Sequence, residues 1–287
     1  MKQAEIPIVF ACQGERLFGI LSCPESSAGV GLLIIVGGPQ YRIGSHRQFV
    51  LLARILAAAG FPCFRFDSRG KGDSTGSAQD FADSVPDIEA AIDTFFANSP
   101  GLQRVVLWGL CDAASAGLLY WQATKDYRVA GMILLNPWVR SEQTLAHTRV
   151  RHYYGQRLSS KAFWRKLLAG RVNVFRAVGE LSAQLVSMVK LRDESARASA
   201  PFQQQMHQAL RDFSGFILLI LSGRDYTAQE FTIWLEGLPE GHKLLARANR
   251  RCERLIDADH TFARAIWRQQ VEMLTIQSLA QLAGTGE

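Results

Sequence analysis

One short string in this chain has the layout of a nucleophile mounted on a tight turn. Val105-Val106-Leu107-Trp108-Gly109-Leu110-Cys111-Asp112-Ala113 runs an apolar strand into G-x-C-x-A and on into small, helix-forming residues. This is the G-x-S-x-G elbow with Cys for Ser and Ala for the last Gly. Such a turn needs small residues two before and two after the nucleophile, because a larger side chain would strike the adjoining strand or helix. It also puts the sulfur at a helix start, where backbone N–H groups and the helix dipole favour an anion. The thiolate is the reactive form of cysteine. The ordinary alternative for Cys111 is a buried, inert thiol. A rival nucleophile, Ser115, sits one turn into the predicted helix, too late for the elbow.

Nucleophilic catalysis asks for a histidine to handle the proton and a carboxylate to orient the histidine. His260, in Ile256-Asp257-Ala258-Asp259-His260-Thr261-Phe262, follows the last predicted strand. Asp225 ends the string Phe216–Asp225, at the C-terminal tip of a strand, where open α/β sheets place their sites. The chain order is then nucleophile, acid, base. Asp225 is otherwise read as a turn cap, and Asp257 and Asp259 stand as alternative acids.

An oxyanion hole needs N–H donors aimed at a developing negative oxygen. The backbone N–H of Asp112 is one candidate. The loop Val36-Gly37-Gly38-Pro39-Gln40 offers the other, and Gly38 is preferred because Pro39 has no N–H. Gln40, Tyr41, Arg42, His46 and Arg47 follow that loop and are candidates either to bind an anionic headgroup or to position the loop. His147, His152, Tyr153, Tyr154 and Trp164 are further candidates for substrate contact.

These groups need a frame. Short apolar runs alternate with helical stretches, the pattern of a mostly parallel sheet flanked by helices. Ile6–Ala11 and Leu17–Ser22 read as an opening hairpin. Strands are expected at Val30–Val36, Cys63–Phe66, Val105–Trp108, Val129–Leu135, Phe216–Ser222 and, weakly, Arg254–Ile256. Helices are expected at Gln48–Ala59, Val85–Ala97, Asp112–Gln122 and Phe262–Leu282. The second of these takes Asp83 or Ser84 as its cap and Pro86 in its first turn. The alternation stops over residues 140–212, which read as a basic helical insertion after the sixth strand. The expected organisation is a core of residues 1–139 and 213–287 with a helical lid at 140–212.

Gly37-Gly38-Pro39, Asp67–Ser74, Gly109–Ala113, Gly223-Arg224-Asp225 and Asp259-His260 together resemble the landmarks of the α/β-hydrolase superfamily, over nearly the whole chain. That resemblance implies a hydrolase with a lid at 140–212, and it makes Asp67 and Arg69 parts of a structural turn. Residues 37–49, GGPQYRIGSHRQF, resemble more narrowly the exosortase A system-associated hydrolases of bacteria, which accompany exopolysaccharide synthesis and PEP-CTERM sorting genes. Cys111 departs from the superfamily's serine but is similar to dienelactone hydrolases. The likeness implies esters, thioesters or lactones as substrates. An acyltransferase with a glycan or lipid acceptor, and a non-catalytic accessory of the same system, are the competing readings.

The bulk numbers agree with one large core: 287 residues, 48% hydrophobic. The net charge of +6 is uneven, since residues 140–212 carry 13 Lys/Arg against five Asp/Glu, a net of +8. That segment suits an acidic carrier, an anionic glycan or a membrane surface as peripheral partner, and equally a plain solvated face. No nucleic-acid motif accompanies it. The five cysteines form no C-x-x-C pair, so neither a disulfide framework nor a zinc site is expected, and no cofactor. The N-terminus lacks a secretory pattern and no run is long enough to span a bilayer, so a cytoplasmic location is expected.

Overall fold

A computed structural model describes residues 4–140 and 201–284. The chain divides into two compact units, residues 1–138 with 205–287, and residues 139–204. The sheet and the candidate site belong to the first.

Eight strands form one sheet: β1 (Ala4–Cys12), β2 (Glu15–Cys23), β3 (Val30–Ile35), β4 (Cys63–Phe66), β5 (Arg104–Leu110), β6 (Val129–Leu135), β7 (Phe216–Ser222) and β8 (Arg250–Leu255). Their order is β1-β2-β4-β3-β5-β6-β7-β8. β1 and β2 pair antiparallel, as do β2 and β4; the other pairs are parallel. β3, β4 and β7 are buried at every residue. That is why they read as continuous apolar runs rather than alternating ones. The outer hairpin alternates instead, with Ile6 and Val9 exposed and Leu17 and Leu21 buried.

The helices described are α1 (Gln48–Ala58), α2 (Val85–Asn98), α3 (Asp112–Thr124), α4 (Pro201–Asp212), α5 (Tyr226–Gly237), α6 (Gly241–Leu245) and α7 (Ala265–Gly284). One sheet face, including Leu32, Ile34, Val106, Trp108, Ile133 and Leu218, forms the main core with Phe49, Leu52 and Leu56 of α1 and Val271 and Leu279 of α7. Trp108 meets Phe49 edge-on at 5.5 Å, a favoured geometry for aromatic pairs. α2 and α3 cover the other face, where Gly31 of β3 leaves room for Phe95 of α2.

Several boundaries differ from the sequence expectation. Ser84 stands at the start of α2 but makes no side-chain cap; its hydroxyl donates to the Phe81 carbonyl, closing a short 3₁₀ turn at Phe81–Asp83. β8 begins at Arg250, because its first residues are charged and show no apolar run. α5 and α6 are absent from the sequence reading. The division between units falls at Gln205, and Met206, Ala209 and Leu210 just after it are buried.

Candidate active site

Cys111 sits between β5 and α3 with φ +63° and ψ −123°. A positive φ is costly for a non-glycine residue, on the order of 1–3 kcal/mol, and persists only where the surroundings enforce it. They do here. The Cys111 N–H donates to the Leu135 carbonyl at 2.9 Å, and its own carbonyl accepts from Trp138 and Ala114. Gly109 is obligatory, because a Cβ there would lie 2.5 Å from the Ala113 backbone. The small-residue requirement of the elbow is thus a clash between β5 and the first turn of α3.

The structure brings Cys111, His260 and Asp225 together. His260 Nδ1 lies 2.8 Å from Asp225 Oδ2, and the Cys111 sulfur is near enough to raise the pKa of the imidazole. The Asp225 side chain is 8% exposed and that of His260 is 35% exposed. The Asp225 hydrogen bond, reinforced by the sulfur, pushes the His260 pKa up to about 10 against the opposing effect of burial. At neutral pH the ring is therefore an imidazolium facing the sulfur.

Asp225 is also a helix cap: its carboxylate accepts from Thr227 N–H at 3.2 Å and Ala228 N–H at 3.1 Å. These bonds fix the carboxylate while leaving Oδ2 turned to the ring. The other acids are engaged elsewhere. Asp257 pairs with Arg224 at 2.6 Å, and Asp259 accepts from Ala263 N–H. Ser115 is fully buried and donates to the Trp138 carbonyl at 2.6 Å, so its hydroxyl faces away from any substrate.

Two residues absent from the sequence reading seat the histidine. Asn136, at the tip of β6, donates through Nδ2 to Ser222 Oγ at 2.9 Å and to the His260 carbonyl at 3.1 Å. Ser222, at the tip of β7, donates its N–H to Asn136 Oδ1 and its hydroxyl to the Asp259 carbonyl, each at 2.8 Å. Both side chains are buried, so every bond replaces one to water. The available signal was a polar residue ending an apolar run, Leu135-Asn136 and Leu221-Ser222.

The oxyanion candidates hold a surprise. As the first residue of α3, Asp112 has no intrahelical acceptor for its N–H. The Gly38 N–H, however, already donates to the Asp112 carboxylate, 2.7 Å from Oδ2. Arg42 departs from the headgroup reading as well. Its guanidinium is committed to Asp67 and Asp73, and its N–H donates to Asp67 Oδ1 at 2.6 Å. The loop-positioning alternative describes it. Arg69 in turn pairs with Asp87 at 2.5 Å. Gln40 Oε1 is buried without a partner among the described residues, whereas Tyr41, His46 and Arg47 are exposed. His152 and Tyr153, like His147, Tyr154 and Trp164, lie outside the described residues. Among the described residues no group of three or more His, Cys, Asp and Glu could hold a metal ion.

Residues 32–217, more than half of the chain, match the family described as serine aminopeptidase, S33. The chain belongs to that family. It is an α/β-hydrolase enzyme. Solved structures of similar fold include the Pyrococcus furiosus esterase Pf2001, with TM-score 0.65 and 14% identity over 97% of this chain and 93% of that one. A serine hydrolase without lid from Xanthomonas campestris gives TM-score 0.59 and 15% identity over 98% and 96%. The proline iminopeptidase of Mycobacterium smegmatis gives 0.60 and 14% over 98% and 100%. No curated protein matches the chain significantly in sequence. No helix among the described residues is long and apolar enough to cross a membrane.

Proposed function

We propose that this enzyme hydrolyses an ester, thioester or lactone through an acyl-cysteine intermediate, with Cys111 as nucleophile, His260 as acid and base, and Asp225 orienting His260. The observation that carries the reading is the 2.8 Å contact between Asp225 and His260 beside Cys111 on its positive-φ turn. With its proton passed to His260, the Cys111 sulfur attacks the carbonyl carbon, a C–S bond forms, and the carbonyl π pair moves onto oxygen. As that oxygen's pair returns, the bond to the leaving group breaks and His260 supplies the leaving group's proton. Water then attacks the acyl-cysteine while His260 takes a proton from it, and cleavage of the C–S bond releases the acid and regenerates the site.

A thiolate is a strong nucleophile and also a good leaving group. Activated acyl donors therefore suit it better than plain alkyl esters, whose tetrahedral adducts return to reactants. The likeness of residues 37–49 to exosortase A system-associated hydrolases supports an acyl group carried on a glycan or its precursor. A second reading, cleavage of an N-terminal peptide bond, is favoured by the family description.

Intact-protein mass spectrometry of wild type and Cys111→Ala with p-nitrophenyl acetate tests the proposal. An acetyl adduct on wild type alone, with turnover lost in the variant, is expected. Equal adducts and equal turnover in both would overturn it. Release of p-nitroaniline from proline p-nitroanilide, without ester turnover, would favour the second reading.

A further inference from the structure

We infer that the Asp112 carboxylate is a built-in brake on acylation, occupying the Gly38 donor of the oxyanion hole until substrate displaces it. This rests on the acyl-Cys111 reading and concerns the same site.

The side chain is held at both oxygens. Oδ2 accepts from Gly38 N–H at 2.7 Å, and Oδ1 accepts from Ala113 N–H at 3.0 Å. Gly37 leaves the space it fills: a Cβ on residue 37 would come within 1.9 Å of Oδ1. The elbow and the Gly37–Gly38 loop thus meet through this one carboxylate.

Its chemistry opposes the step the site performs. Gly38 has a single N–H, and a carboxylate is a stronger acceptor than a neutral ester carbonyl. An incoming substrate therefore finds only the Asp112 N–H open. When the C–S bond forms and the π pair moves to oxygen, that oxygen meets a like charge where a second donor should be. The carboxylate has to turn away before the hole has two donors. A backbone N–H survives substitution at residue 112, so the brake can be removed while the other donor stays.

Two rates separate the effects. Acylation of Cys111 by p-nitrophenyl acetate develops an oxyanion; alkylation by iodoacetamide, which displaces iodide at a saturated carbon, does not. Alkylation reads the thiolate alone, including any gain from removing a nearby negative charge. One oxyanion donor is worth on the order of 10²–10³ in rate. The ratio of acylation to alkylation should accordingly rise about 10–100-fold in Asp112→Ala. Asp112→Asn, which keeps the shape and loses the charge, should fall between and carries the test if the alanine variant misfolds. A ratio unchanged or lowered in both variants, with wild type forming acyl-Cys111, overturns the brake and leaves the proposed function standing. Alkylation of Cys111 without acylation in any form of the protein overturns both.

Discussion

Two strand tips on the same sheet carry a buried aspartate, and they do different work. Asp67 follows β4 and is fully buried; Asp225 follows β7 and is 7% exposed. Each accepts backbone N–H donors, Arg42 and Asp73 for the first, Thr227 and Ala228 for the second. The third partner separates them. Asp67 holds the Arg42 guanidinium, which keeps its charge at every accessible pH. Asp225 holds an imidazole, which can give a proton away. Burial and position alone do not mark a functional carboxylate; the partner's capacity to titrate does.

Four measurements break or sharpen that contrast. The largest effect belongs to Asp225→Asn. Asn caps a helix about as well as Asp, so α5 should survive, and the stability lost should be only what the protonated His260 gains from its pairing with Asp225. Turnover should fall on the order of 10⁴-fold, as loss of the orienting carboxylate does in related triads. Comparable losses of stability and rate would make Asp225 a second Asp67. Asp67→Asn should do the reverse, removing about 3–5 kcal/mol in denaturant unfolding while the rate per folded molecule holds.

Asn136→Ala comes next. It strips a carbonyl of the His260 loop and the Ser222 N–H of their partners, which costs about 1–3 kcal/mol. It should also slow turnover by up to about 100-fold, because the ring loses its seat. A stability loss with an unchanged rate would show that the seat is redundant. Fourth and smallest is a pH effect. Unfolded histidine titrates near 6.5, while folded His260 is raised to about 10. The stability its proton contributes is therefore complete below about pH 6.5 and fades as pH climbs through 10. NMR titration of His260 should show the high value in wild type and a lower one in Asp225→Asn, since the largest raising cause is gone.

The sequence was most informative where a single physical demand controls a residue type. Gly109 and Ala113 were legible because only small side chains clear the turn, and the buried strands because they are apolar on both faces. β8 was misplaced because its first residues are charged and form no apolar run. The two readings of Arg42 stayed open for another reason. A cation beside a glycine loop looks like an anion receptor until the sheet brings Asp67 and Asp73 around it. The Asp112 carboxylate was out of reach for the same cause, since its contact with Gly38 spans 74 positions.

The Asn136–Ser222 clasp straddles the inserted unit, one residue coming before it in the chain and the other after. Both donate to the backbone of the histidine loop, Asn136 to the His260 carbonyl and Ser222 to the Asp259 carbonyl. The proposed general base is therefore anchored to parts of the chain that flank residues 139–204 in sequence.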